Sequence, residues 1–205
     1  TYALTTEDTG SKATAIGFGT LANQNYDGDS YNVAVGFETG NDITTGVENA
    51  IVGSLAGDAV TTGSYNAVLG TSALGANTQS NANVAIGNSA LAQHNLTSST
   101  AGYNVAVGFN AGVSVTTGVQ NTIIGGLASD ALTTGERNVV IGHGAMGSAN
   151  GSESRNIAIG WSALSQMDSD TNNYNVAVGY NAGAVVTTGI ENVLIGALAG
   201  DALTT

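Results

Sequence analysis

The chain has 205 residues, 15 acidic side chains against 3 basic ones, a formal net charge of −12, and neither cysteine nor proline. That balance excludes a protein that meets phosphates through a basic stripe, so no nucleic-acid partner is expected. The lack of cysteine excludes a disulfide scaffold, no apolar run approaches the roughly 20 residues of a membrane helix, and no signal peptide is visible.

Along the chain one phrase, Asn-x-x-(Val/Ile/Leu)-Gly, returns eleven times, with its glycines at 17, 36, 53, 70, 87, 108, 125, 142, 160, 179 and 196. Asparagine stands four residues before the glycine in ten copies: Asn32, Asn49, Asn66, Asn83, Asn104, Asn121, Asn138, Asn156, Asn175 and Asn192; Ala13 fills the place in the first. The spacing runs from 17 to 21 residues. A repeat this short cannot enclose a core, so successive copies must stack as coils of a solenoid. The expectation is an all-β protein: a parallel β-solenoid, β-roll or β-helix, of about 11 coils, spanning on the order of 50 Å at the usual strand spacing.

A longer rhythm overlies the first. Tyr31-Asn32-Val33-Ala34-Val35-Gly36-Phe37 returns as Tyr103 to Phe109 and again as Tyr174 to Tyr180, so four unequal coils make a super-repeat of about 72 residues. The chain then reads as one solenoid segment over 1–205. Its super-repeats are 31–102, 103–173 and a partial 174–205, with 1–30 the end of a preceding one. It starts and ends inside a repeat, as a piece of a longer fibre would.

In each phrase alternate residues point to opposite faces. Val33 and Val35, and likewise Val107, are assigned to the coil interior. Ala34, Ile51, Val68, Ala106, Ile123, Val140 and Leu194 then form a second apolar face. Strands apolar on both faces are covered on both, and further copies of the same chain are the economical cover for the second. The Thr-Thr-Gly stretches at 44–46, 61–63, 116–118, 133–135 and 187–189 are read as a second strand, with their glycines at left-handed or otherwise strained corners. The asparagines form a structural column at one bend, where stacked amides satisfy the backbone and each other.

The phrases at 32–36, 83–87 and 156–160 resemble the head repeats of trimeric autotransporter adhesins. The longer Tyr-Asn-Val-Ala-Val-Gly-Tyr-Asn-Ala-Gly at 174–183, with Thr-Thr-Gly-x-x-Asn, is closer still to repeats in phage tail-fibre proteins, including those of marine phages. The resemblance implies a left-handed parallel β-roll assembled as a homotrimer, used as a shaft or adhesive surface. It departs from the adhesin heads in coils of 17 to 21 residues instead of about 14. The function expected is therefore a structural and adhesive segment of an extracellular or virion fibre, with no catalysis and no cofactor. A bacterial cell-surface trimeric adhesin head is the alternative; an ice-binding or a carbohydrate-processing solenoid is more remote. The partners implied are the chain itself and a host-surface glycan or protein receptor.

Other patterns carry less. Gly142-His143-Gly144-Ala145-Met146-Gly147 matches a dinucleotide-binding glycine pattern, but the site also needs a helix opening at its last glycine. His94 and His143 lack a neighbourhood that suggests a triad or a metal spacing. The acidic insertions place Asp27 and Asp29, and Asp168 and Asp170, at alternate positions, as calcium loops do; these four are the metal candidates, against a plain solvated loop. Phe18, Phe37, Phe109, Trp161 and Tyr180 follow the phrase glycine and are expected to stack between coils. Exposed, they could hold sugar rings; buried, they fill a corner, which their recurrence with the repeat favours.

Overall fold

The computed structural model describes residues 3–6, 10 and 12–205. Each copy of the phrase contributes one strand of three residues: β1 (Thr14–Ile16), β2 (Val33–Val35), β3 (Ala50–Val52), β4 (Ala67–Leu69), β5 (Val84–Ile86), β6 (Val105–Val107), β7 (Thr122–Ile124), β8 (Val139–Ile141), β9 (Ile157–Ile159), β10 (Val176–Val178) and β11 (Val193–Ile195). The chain is thus an all-β parallel solenoid of about eleven turns, and no helix occurs among the described residues. Two compact units divide it, Thr1–Tyr103 and Asn104–Thr205. In the first, β1 to β5 pair in parallel in chain order; in the second, β6 to β11 do the same. Register is one-to-one, with Ala34 against Ile51 and Ile51 against Val68, and likewise Ala106 against Ile123.

The middle residue of each strand is the one that points inward. Ala34, Ile51, Ala85, Ala106, Ile123, Val140, Ala158 and Ala177 are fully buried, and Val68 nearly so. Their neighbours Val33, Val52, Leu69, Ile86, Ile124 and Ile157 are exposed. This inverts the sequence-based assignment. Ala34, Ile51, Val68, Ala106, Ile123, Val140 and Leu194 do not form an outer, chain-pairing face; they line the coil, and Val33, Val35 and Val107 belong to the outside.

The asparagines supply the reason. Asn32 lies two residues before Ala34 and shares its face. Its amide nitrogen donates to the Gly46 carbonyl at 2.7 Å, across the turn of its own coil. Its side-chain oxygen accepts the Asn49 backbone N–H at 2.9 Å. The pattern repeats through Asn66 and Asn83 in the first unit, and from Asn104 through Asn121, Asn138, Asn156 and Asn175 to Asn192 in the second. Turn carbonyls that face inward have no water and need these amides. With asparagine inside, parity puts the next-but-one residue inside and the two flanking aliphatics outside.

Volume is then balanced within the coil. A glycine at 57 leaves room for Ile51, whose Cδ1 would lie 3.1 Å from an added Cβ. Gly183 likewise accommodates Leu194 and Leu164, at 2.8 and 2.9 Å. The alternation of alanine with larger residues along the strand centres is therefore interior size compensation, as close packing demands, with Leu21, Leu91 and Leu164 filling coils whose strand centre is alanine.

Backbone approach explains the phrase glycines. All eleven adopt φ between +126° and +145°, and a Cβ on Gly125 would lie 2.5 Å from the Gly142 carbonyl oxygen. The Thr-Thr-Gly stretches differ from expectation in two ways. They form no second strand, because their backbone bonds converge: the N–H groups of Thr61, Thr62 and Gly63 all point at the Thr78 carbonyl, at 2.9 to 3.3 Å. Of the two corners expected for their glycines, the left-handed one does not occur. Gly63 is required because a Cβ would meet the Ser80 carbonyl at 2.8 Å. The first threonine of each pair bonds the coil beneath, as Thr61 Oγ1 does to the Thr78 carbonyl at 3.0 Å and Thr116 Oγ1 to Thr133 at 3.2 Å.

Candidate interaction surfaces

Three outward features could engage another molecule. The first is the outer sheet face. In the first unit it presents Thr14, Ile16, Val33, Val35, Ala50, Val52, Ala67, Leu69, Val84 and Ile86, of which only Thr14 is polar. In the second unit, six strands present Val105, Val107, Thr122, Ile124 and the aliphatic ends of β8 to β11, with Thr122 the one polar member. No strand residue on either face is charged. Ala50 lets the first face dip into a depression of about 470 Å³ lined by Tyr31, Val33, Glu48, Asn49 and Ala50. Exposed apolar area this continuous marks an interaction surface.

The second feature is the aromatic column. Phe18 stacks on Phe37 with centroids 5.6 Å apart and planes 11° from parallel. Trp161 stacks on Tyr180 at 5.2 Å, and His143 extends that stack, 6.5 Å from Trp161 and 9° off parallel. The rings do not fill a corner: Phe18, Phe37, Phe109, Trp161 and Tyr180 remain between 48% and 57% exposed. One position before each phrase asparagine runs another exposed column, with Tyr31, Tyr65 and Tyr174. Lys12 lies 5.1 Å over the Tyr31 ring and Arg155 5.7 Å over Tyr174, in cation–π geometry.

The third feature is the acidic insertions. Asp29 is engaged by Lys12 at 2.6 Å and by the Tyr31 hydroxyl at 3.3 Å; the ion pair raises the Lys12 pKa above its ordinary value, Asp29 being the main cause. Asp170 Oδ1 accepts the Ser152 N–H at 3.2 Å, while Asp27 and Asp168 are exposed. Among the described residues no three His, Cys, Asp or Glu side chains converge as a metal would require. The sequence reading missed Glu153. Fully buried, it accepts the Gly151 N–H through Oε2 at 3.0 Å and the Ser169 and Asp170 N–H groups through Oε1, each at 3.2 Å. A carboxylate with three backbone donors is held firmly, so Glu153 pins the insertion to the coil below. Nothing in its sequence context signals this, because two of the three donors come from a segment sixteen and seventeen residues on.

Two histidines part company. His143 is the outward rung just described. His94 is buried with its Nε2 3.0 Å from Ser80 Oγ, and Asn83 Nδ2 donates to the same hydroxyl at 3.0 Å. This serine–histidine contact lies inside the coil, where it continues the asparagine column. The glycine-rich stretch at 142–147 turns onto the next coil without entering a helix. No helix among the described residues is long and apolar enough to cross a membrane. No protein-family model matches the chain, and no curated protein and no solved structure matches it either.

Proposed function

We propose that this chain is a structural and adhesive segment of an extracellular or virion fibre, without catalysis, assembled as a parallel homotrimer. The observation that carries the reading is the charge-free apolar outer face, built from the residues flanking each strand centre. A single chain leaves that face in water; identical faces on identical chains offer it a cover at every coil. Threefold symmetry, left-handed winding and the four-coil super-repeat rest on the resemblance to phage tail-fibre repeats and to trimeric autotransporter heads. The net charge of −12 per chain opposes assembly, yet every acid lies off the strands and salt screens such repulsion.

Light scattering or sedimentation across micromolar concentrations tests the assembly. The unmodified segment is expected at three times its chain mass. The double variant Ile124→Lys, Ile159→Lys is expected to be a folded monomer with an unchanged β spectrum. A stable monomer of the unmodified chain would overturn the trimer.

A further inference from the structure

The ladder in the second unit has a missing rung, and we infer that it is a saccharide-binding slot. Equivalent positions are fixed by the backbone. Phe109, Gly126, His143, Trp161 and Tyr180 each offer a carbonyl to the N–H one position further along the next coil: Leu127, Gly144, Ser162, Asn181 and Leu198, at 2.8 to 3.1 Å. Four of the five rungs carry a ring. The fifth is Gly126, which stands between Phe109 and His143.

Gly126 is not there for its backbone. Its φ is outside the left-handed range, and an added Cβ would find only His143 Cδ2 at 3.6 Å and the Phe109 carbonyl oxygen at 3.9 Å, both ordinary contacts. A side chain is sterically welcome, so the glycine leaves an open position between the Phe109 and His143 rungs. The neighbouring phrase glycine, Gly125, is by contrast obligatory. Phe109 is 57% exposed, and His143 is exposed as well.

The gap spans two coils, about 10 Å at the usual strand spacing. A pyranose chair presents C–H groups on both faces, which suits an aromatic neighbour on each side. Its hydroxyls lie around the rim, toward solvent. The occupant is a neutral sugar, since the acidic surface disfavours anionic ones. Stacking through C–H faces without a charged partner gives weak single-site affinity, which repetition over the chains of an assembly would multiply.

This deepens the adhesive half of the proposed function and rests on it, but not on the trimer. Saturation-transfer NMR with lactose, maltotriose and cellotriose as probes tests it. Transfer to ring C–H protons of at least one sugar is expected with the unmodified chain. Gly126→Phe completes the ladder and should abolish transfer while leaving the β spectrum and the scattering mass unchanged. Phe109→Ala should weaken binding about tenfold, the loss of one stacked ring; Phe37→Ala, in the first unit, should leave it intact. No transfer from any of the three sugars, or equal transfer with Gly126→Phe, overturns the slot, whereas an unmodified chain that binds sugar as a monomer overturns the trimer alone.

Discussion

At the scale of single residues the asparagine amides and the unusual backbone angles carry the energetics. Asn66 donates to Asn49 Oδ1 and the Ser80 carbonyl and accepts two N–H groups from Asn83. Asn66→Ala strands these groups without water, and a loss of about 3 kcal/mol or more is expected in chemical denaturation. Glu153→Gln keeps the shape but removes the charge from three backbone donors; a loss of about 1 kcal/mol is expected, with faster amide exchange at Ser169 and Asp170. Ala82 sits at φ +57°, where a Cβ is penalised. Ala82→Gly should therefore be neutral or stabilising by up to about 1 kcal/mol, against the usual cost of glycine.

Residue Asp58 adds a pH dependence. Burial is the main cause that raises its pKa, and Asp130 at the corresponding position is raised for the same reason. A carboxyl whose folded pKa exceeds its unfolded value binds more protons when folded. Stability then rises as pH falls from just above the raised value toward the ordinary carboxyl value of 3.8, and changes no further below that. Asp58→Asn should raise the melting temperature slightly at pH 7 and shrink that acid-side gain, measured by thermal melts between pH 3 and 7.

At the scale of the element, a three-residue strand is stable only because its neighbours hold it on both sides. The closest approach is at the phrase glycine. Gly125→Ala combines φ +135° with a Cβ 2.5 Å from the Gly142 oxygen and should push two coils apart. A loss of several kcal/mol is expected, against no measurable loss for Gly126→Ala next to it. Strand centres behave in the same all-or-none way. Ile123→Lys buries an unpaired charge and should unfold the second unit locally, whereas Ile124→Lys, one residue on, should leave it folded. Circular dichroism of the two variants separates interior from exterior directly.

For the whole molecule, the repeat carried the architecture plainly. One phrase per turn, parallel pairing in chain order and the absence of helix among the described residues all follow from a period too short to close on itself. The asparagine positions were legible too, because only a regular turn places one residue type every 17 to 21 positions. The partners of Glu153, the His143 rung and the vacancy at Gly126 were not, since each depends on residues brought together from different coils.

What the sequence by itself determined was the stack: how many turns, in what order and in which register. Only the tertiary structure decided which face of the stack is inside. A strand such as Val-Ala-Val, apolar on both sides, gives hydrophobicity nothing to choose between. The choice falls to the buried amide of Asn32, which must reach an inward turn carbonyl 14 residues ahead; by parity it draws Ala34 in and turns Val33 and Val35 out.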